Sequence, residues 1–164
     1  MVSVNLSELN DFLGRAALST YAAGGEEVDP EETGFKELEF KDESGKWFYK
    51  DSYCGFFQSW GREVVWLDGK PVWNQIYGGG MAKKFQGDAN FAHETFDFLK
   101  KALSAGEKKS EFQPRGPKLF IAGDWRYVCD WSGDISKFKG YEEISFNGES
   151  VFTHDFLGGL VVGK

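Results

Sequence analysis

The chain of 164 residues is poor in the residue types that usually advertise chemistry. It has two cysteines, two histidines and four prolines. Cys54 and Cys129 are too few for a disulfide framework and show no metal-ligand spacing. Positive charge is scarce, with 19 Lys and Arg against 26 Asp and Glu and a net charge of −7. That balance argues against a surface that grips a phosphate backbone, and no direct nucleic-acid binding is expected. The pairs Lys83-Lys84, Lys100-Lys101 and Lys108-Lys109 lie among acids and read as solvated faces. No apolar stretch approaches membrane-spanning length, and the N-terminus lacks the basic-then-apolar pattern of a signal peptide. A cytoplasmic protein with no membrane contact, metal or cofactor is the expectation.

Aromatic residues and glycine are abundant. Sixteen Phe, six Tyr and six Trp make up 17% of the chain, and there are 21 Gly. The pattern Trp47, Tyr49, Tyr53, Gly55, then Gly61, Glu63, Val65, Asp68-Gly69, Val72, Trp73, Tyr77, Gly79-Gly80 occurs twice. It returns as Trp125, Tyr127, Trp131, Gly133, then Gly140, Glu142, Ile144, Asn147-Gly148, Val151, Phe152, Phe156, Gly158-Gly159. Upstream, Asp11-Phe12-Leu13 and Ala16 match Asp97-Phe98-Leu99 and Ala102. One domain over residues 1–164 is expected, with internal repeats at about 5–81 and 88–164.

A first helix should start at the Asn5 cap with Glu8 three residues on. Leu6, Leu9, Leu13, Ala16 and Ala17 form its apolar stripe, and it should end near Tyr21, before Gly24-Gly25. A second helix should span 91–105, with Ala92, Phe96, Leu99 and Leu103 inward and Gly106 as its stop. Strands are expected at 35–40, 119–122, 47–53 and 125–131. Asp68-Gly69 and Asn147-Gly148 mark hairpins, because type I′ turns need positive φ at both central positions. The predicted fold is α+β: two pseudo-symmetric repeats of a helix plus about four antiparallel strands, with the helices packed on one sheet face.

The run Tyr49-Lys-Asp-Ser-Tyr53, Gly61-x-Glu63-x-Val65, Asp68-Gly-Lys-Pro-Val-Trp73 and Tyr77-x-Gly79 resembles an uncharacterised bacterial and archaeal domain family. So does the closing Gly140-Tyr-Glu-Glu-Ile144, Val151-Phe152 and Phe156-x-Gly158-Gly159. The resemblance implies a domain that occurs alone or behind a helix-turn-helix domain in proteins described as transcriptional regulators. It implies no activity and no site residue. Because the first helix opens the repeat directly, no DNA-binding domain is expected, which leaves a sensing or interaction module.

Simple alternation from two-residue turns puts Val65, Leu67, Val72 and Ile76 on one face with Glu63 paired to Asn74. Ile144, Phe146 and Val151 follow, with Glu142 paired to Thr153, as an aliphatic surface beneath the helices. The other face collects Val64, Trp66, Trp73, Gln75 and Tyr77, and Tyr141, Phe152, His154 and Phe156. Tyr49 flanks Asp51, and Tyr127 flanks Cys129, in the same manner. An aromatic wall with a few polar groups is the usual description of a small-molecule pocket. Trp73, Tyr77, Phe152, Phe156, Tyr49 and Tyr127 are the candidate apolar contacts, and Asp51, Gln75, Cys129 and His154 the polar ones. The reading is of a non-enzymatic ligand-binding domain. The same face could instead be a second core layer or the interface of a homodimer. A small hydrolase using Cys129 and His154 is a further alternative, although no oxyanion-hole signature accompanies them. Glu63 and Glu142 fit a repeated structural job better than paired acid–base carboxylates. Gly78-Gly79-Gly80 lacks the features of a phosphate loop.

Overall fold

The computed structural model describes residues 4–22, 27–105 and 111–163. Gly24-Gly25, Gly106 and Lys108-Lys109 lie outside the described residues. Helix α1 (Leu6–Ala17) continues as a short π-helical turn (Leu18–Ala22), and α2 spans Ala89–Ala105. The strands are β1 (Glu27–Val28), β2 (Lys36–Lys41), β3 (Trp47–Gly55), β4 (Gln58–Leu67), β5 (Lys70–Met81), β6 (Leu119–Ala122), β7 (Trp125–Asp134), β8 (Lys137–Phe146) and β9 (Glu149–Leu160).

The expectation of two helix-plus-sheet repeats is corrected here. Among the described residues, all the strands belong to one nine-stranded antiparallel sheet, in the order β1-β2-β3-β4-β5-β9-β8-β7-β6, and two helices lie on it. β5 and β9 pair from Trp73↔Leu160 to Met81↔Phe152, so no sheet edge separates the first four long strands from the last four. The class remains α+β in the broad sense.

Local signals set the ends of the elements. The Asn5 side-chain oxygen accepts from Ser7 N at 3.0 Å and Glu8 N at 3.3 Å, satisfying two free amides of α1. Asp88 does the same for α2 through Phe91 N at 3.0 Å. Leu9, Phe12 and Ala16 of α1, and Ala92, Phe98 and Ala102 of α2, enter the core. Phe12 stacks on Trp47 at 5.3 Å and Phe98 on Trp125 at 5.4 Å. Leu6 stays exposed, and Phe96, Leu99 and Leu103 are only partly buried. Both hairpin turns form at the expected dipeptides, with φ of 49° and 74° at Asp68-Gly69 and 50° and 80° at Asn147-Gly148.

The face assignment fails at one residue per hairpin. Past each turn the pairing slips: Trp66 faces Pro71 but Val65 faces Trp73, and Ser145 faces Ser150 but Ile144 faces Phe152. Val72 and Val151 are thus inserted as β-bulges, and an extra residue moves every later side chain to the other face. Glu63 therefore faces Gln75 rather than Asn74, and Glu142 faces His154 rather than Thr153. Trp73, Tyr77, Phe152 and Phe156 share the helix-covered face with the two glutamates, whereas Trp66 and Tyr141, expected with them, lie on the opposite face. Ile76, expected beneath the helices, is exposed.

Candidate functional site

Neighbouring strands place polar residues in rows across the helix-covered face. Asp51 lies opposite Glu63, and Glu63 opposite Gln75. Ser59 lies opposite Gly79, Gly79 opposite His154, His154 opposite Glu142, and Glu142 opposite Cys129. Between these rows Tyr77 and Phe156 pair across the central seam. Asp51, Gln75 and Glu142 are fully buried, and Glu63 and His154 nearly so.

Arg115 ties this set together from a loop outside the sheet. Its Nη1 donates to Glu63 Oε1 at 2.9 Å and its Nε to Glu142 Oε1 at 3.1 Å. The guanidinium carbon sits 4.7 Å from the centre of the Tyr77 ring. The loop is held down where Gly116 N donates to Tyr127 Oη at 3.0 Å, while that hydroxyl donates to Glu142 Oε2 at 2.7 Å. A Cβ on Gly116 would come within 2.8 Å of the Tyr127 ring, so the close approach needs glycine. Asp51 accepts from Tyr77 Oη at 2.9 Å and from the Tyr21 hydroxyl on the π-helical turn. His154 Nδ1 lies 3.1 Å from Glu142 Oε1, and Nε2 lies 3.3 Å from Ser59 Oγ.

The electrostatics divide the carboxyls. Burial and then the Glu63 charge push Asp51 well above the usual carboxylate range. Burial also raises Glu63, although Arg115 pulls against it. Glu142 suffers the same burial, but Arg115 and His154 outweigh it and hold its carboxyl down at about 2. The two glutamates move in opposite directions because Glu142 has His154 as well as Arg115 beside it, whereas burial dominates at Glu63 and the Glu142 charge adds to it. Burial and then Glu142 push the Cys129 thiol up to about 12. A buried set of shifted groups around one cation is the electrostatic profile of many functional sites.

Two cavities meet at this network and share Tyr21, Leu103 and Arg115 in their walls. The smaller, about 90 Å³, lies against α1 and is lined by Tyr49, Trp73 and Gln113. Among the described residues the Gln113 amide oxygen is buried without a hydrogen-bond partner. The larger, about 450 Å³, lies between the sheet, the π-helical turn and α2. Its walls include Ser59, Tyr77, Phe152 and His154 from the sheet, and Phe96 and Leu99 from α2. The opposite sheet face bears an open groove of about 760 Å³ around the exposed Trp60, Ile76, Tyr141 and Leu157.

The ten residues chosen from the sequence scatter around this arrangement. Tyr77, Phe152 and His154 line the larger cavity, and Tyr49 and Trp73 the smaller one. Asp51, Gln75, Tyr127, Cys129 and Phe156 are buried beneath and line neither. Cys129 and His154 stand on either side of Glu142, and both ring nitrogens of His154 face other partners. Sequence reasoning missed Arg115, Ser59 and Tyr21. The one visible signal for Arg115 is its setting in Gln113-Pro-Arg-Gly-Pro117, a stiff loop between the matched positions of the second repeat. Among the described residues no group of three His, Cys, Asp or Glu is placed to hold a metal, and no helix is long and apolar enough to cross a membrane.

No curated protein and no solved structure matches the chain. Residues 51–161, which carry both hairpins, Arg115, Ser59 and the His154–Glu142 pair, match the family described as Domain of unknown function (DUF5680), and the chain belongs to that family.

Proposed function

We propose that this domain binds a small molecule in the cavity of about 450 Å³ between the sheet and α2. The observation that carries the reading is the cavity itself, whose volume falls in the usual range for ligand sites and whose wall joins aromatic and aliphatic side chains to polar and charged ones. Ser59, His154 and Arg115 are among its polar groups. The chemistry suits a compact molecule with an apolar or aromatic body and one hydrogen-bonding end. Phe96, Leu99 and Phe152 would hold the body, and Ser59 and His154 would orient the polar end. In this reading the domain is a cytoplasmic sensing module. The free thiols Cys54 and Cys129 favour the cytoplasmic setting. A homodimer through the aromatic face would need residues such as Trp73 and Tyr77, which one chain already buries.

Native mass spectrometry of gently purified protein, with a denatured control, tests the proposal. A small extra mass that vanishes on denaturation, and is lost in a Leu99→Trp variant that fills the cavity, is the expected result. A bare wild-type chain that also shows no thermal stabilisation by any member of a fragment set would overturn it.

A further inference from the structure

We propose that Ser59, His154 and Glu142 form a nucleophile–base–orienter relay opening into the larger cavity, which makes the domain a hydrolase of small carboxylic esters. The inference rests on that cavity being a binding site and adds turnover to it.

The geometry is that of a serine relay. Ser59 Oγ lies 3.3 Å from His154 Nε2, and His154 Nδ1 lies 3.1 Å from Glu142 Oε1. Such an arrangement is recognised by contacts and roles rather than by chain order. The three side chains come from β4, β9 and β8, and the strand between Ser59 and His154 contributes only Gly79. A Cβ on Gly79 would sit 2.2 Å from Thr153 O, and its φ is +138°. That bare position lets two side chains from non-adjacent strands meet above it.

Each member is equipped for its part. Glu142 is buried, and Arg115 keeps it ionised, so it can only accept hydrogen bonds. In the neutral imidazole the contact with Glu142 places the proton on His154 Nδ1, and Nε2 then accepts from the Ser59 hydroxyl. The Phe152 ring, centred 4.5 Å from the imidazole, and the Tyr77 ring at 5.5 Å fix its orientation. Ser59 and His154 both line the cavity, as does Arg115.

In the first half-reaction Ser59 Oγ bonds to the ester carbonyl carbon, its proton passes to His154 Nε2, and the carbonyl electron pair moves to oxygen. Collapse of that intermediate breaks the carbon–alkoxy bond, and the leaving alkoxide takes the proton from His154. Water then adds to the acyl-serine with its proton going to Nε2. The second collapse returns that proton to Ser59 and releases the acid. The sum is ester plus water giving acid plus alcohol.

The test treats the full chain with an alkyl fluorophosphonate, locates any adduct by peptide mass spectrometry, and follows hydrolysis of 4-nitrophenyl butyrate. One adduct on Ser59 is expected, absent after prior unfolding. Turnover should disappear in Ser59→Ala and fall by roughly 10²–10⁴-fold in kcat in His154→Gln. Ser59→Ala removes only a half-buried hydroxyl, so circular dichroism and thermal melting should match the wild type. Folded protein that forms no adduct at Ser59, or that hydrolyses the ester equally well as Ser59→Ala, overturns the relay. If a cavity-binding fragment still stabilises that protein, the binding reading survives alone; if none does, both readings fall.

Discussion

Replacing Arg115 by Met should be among the most damaging single substitutions in the chain. The guanidinium is 5% exposed and lies between carboxylates that are 8% and 0% exposed, at Glu63 and Glu142. Met fills part of the volume but leaves the two acids without their cation. Removing one side of a buried ion pair costs about 3–5 kcal/mol, because the remaining charge stays desolvated. For a domain of this size each kcal/mol lowers Tm by about 2–4 °C, so a fall of roughly 6–20 °C follows. The pH dependence supplies an independent signature. In the wild type Glu142 is held at about 2, below its ordinary 4.5. Its contribution, about 3 kcal/mol, is present above pH 4.5 and is lost as pH falls from there toward 2. In Arg115→Met burial acts with less opposition, so the Glu142 and Glu63 carboxyls rise. A raised carboxyl destabilises the fold above its folded pKa and ceases to do so below its unfolded one. Acidification should therefore stabilise the variant more than the wild type, in which the lowered Glu142 opposes the raised Asp51 and Glu63, and the gap between them should narrow from pH 7 to pH 4. Urea unfolding followed by circular dichroism at both pH values measures this. A Tm drop under about 2 °C, or a gap independent of pH, would refute the account of the network.

Tyr77→Phe removes the hydroxyl that donates to Asp51, at a cost of about 1–3 kcal/mol, read as a shift in urea midpoint with an unchanged slope. Gly79→Ala forces a Cβ against Thr153 O at a positive φ and should cost about 1–3 kcal/mol by the same measurement. Ile76→Thr, on the exposed face of the same strand, should stay within about 0.5 kcal/mol of the wild type. Cys129 should resist alkylation at pH 8, since burial and Glu142 push its thiol up to about 12, while the more accessible Cys54 reacts. Mass spectrometry should show one adduct on the native protein and two after unfolding. Rapid native labelling of Cys129 would contradict the burial assigned to it.

Features carried by neighbours in the chain were legible in the sequence. Asn5 caps α1 because its oxygen reaches amides two and three residues away, and the Asp68-Gly69 and Asn147-Gly148 turns follow from the φ values those residues tolerate. The aromatic richness of one face was legible as well, and so was the joint placement of Gln75, Tyr77 and His154 with it. Which face that would be was not. Val72 and Val151 look like any other strand residues, yet each adds one position opposite its partner strand. A period of two has no memory for such an insertion, so the two glutamates crossed to the aromatic face and the helices covered that face. The pairing of β5 with β9 was equally hidden, because strand order depends on contacts between segments far apart in sequence.

The candidate site lies at the far end of the same contrast. His154 stood out as one of only two histidines, and the sequence offered Cys129 as its partner. The fold instead brings His154 to Ser59 across Gly79 and to Glu142 on the next strand. Arg115 is not one of the positions matched between the repeats, and only the docking of its loop on Tyr127 brings it between Glu63 and Glu142. By itself the sequence determined the start of α1, the hairpin turns, the duplicated pattern and the aromatic composition of the core, all through interactions that reach only a few residues along the chain. Tertiary structure alone decided the single sheet, the face the helices cover and the buried charge network. Those depend on register and on side chains that meet across strands, where one inserted residue redirects everything beyond it.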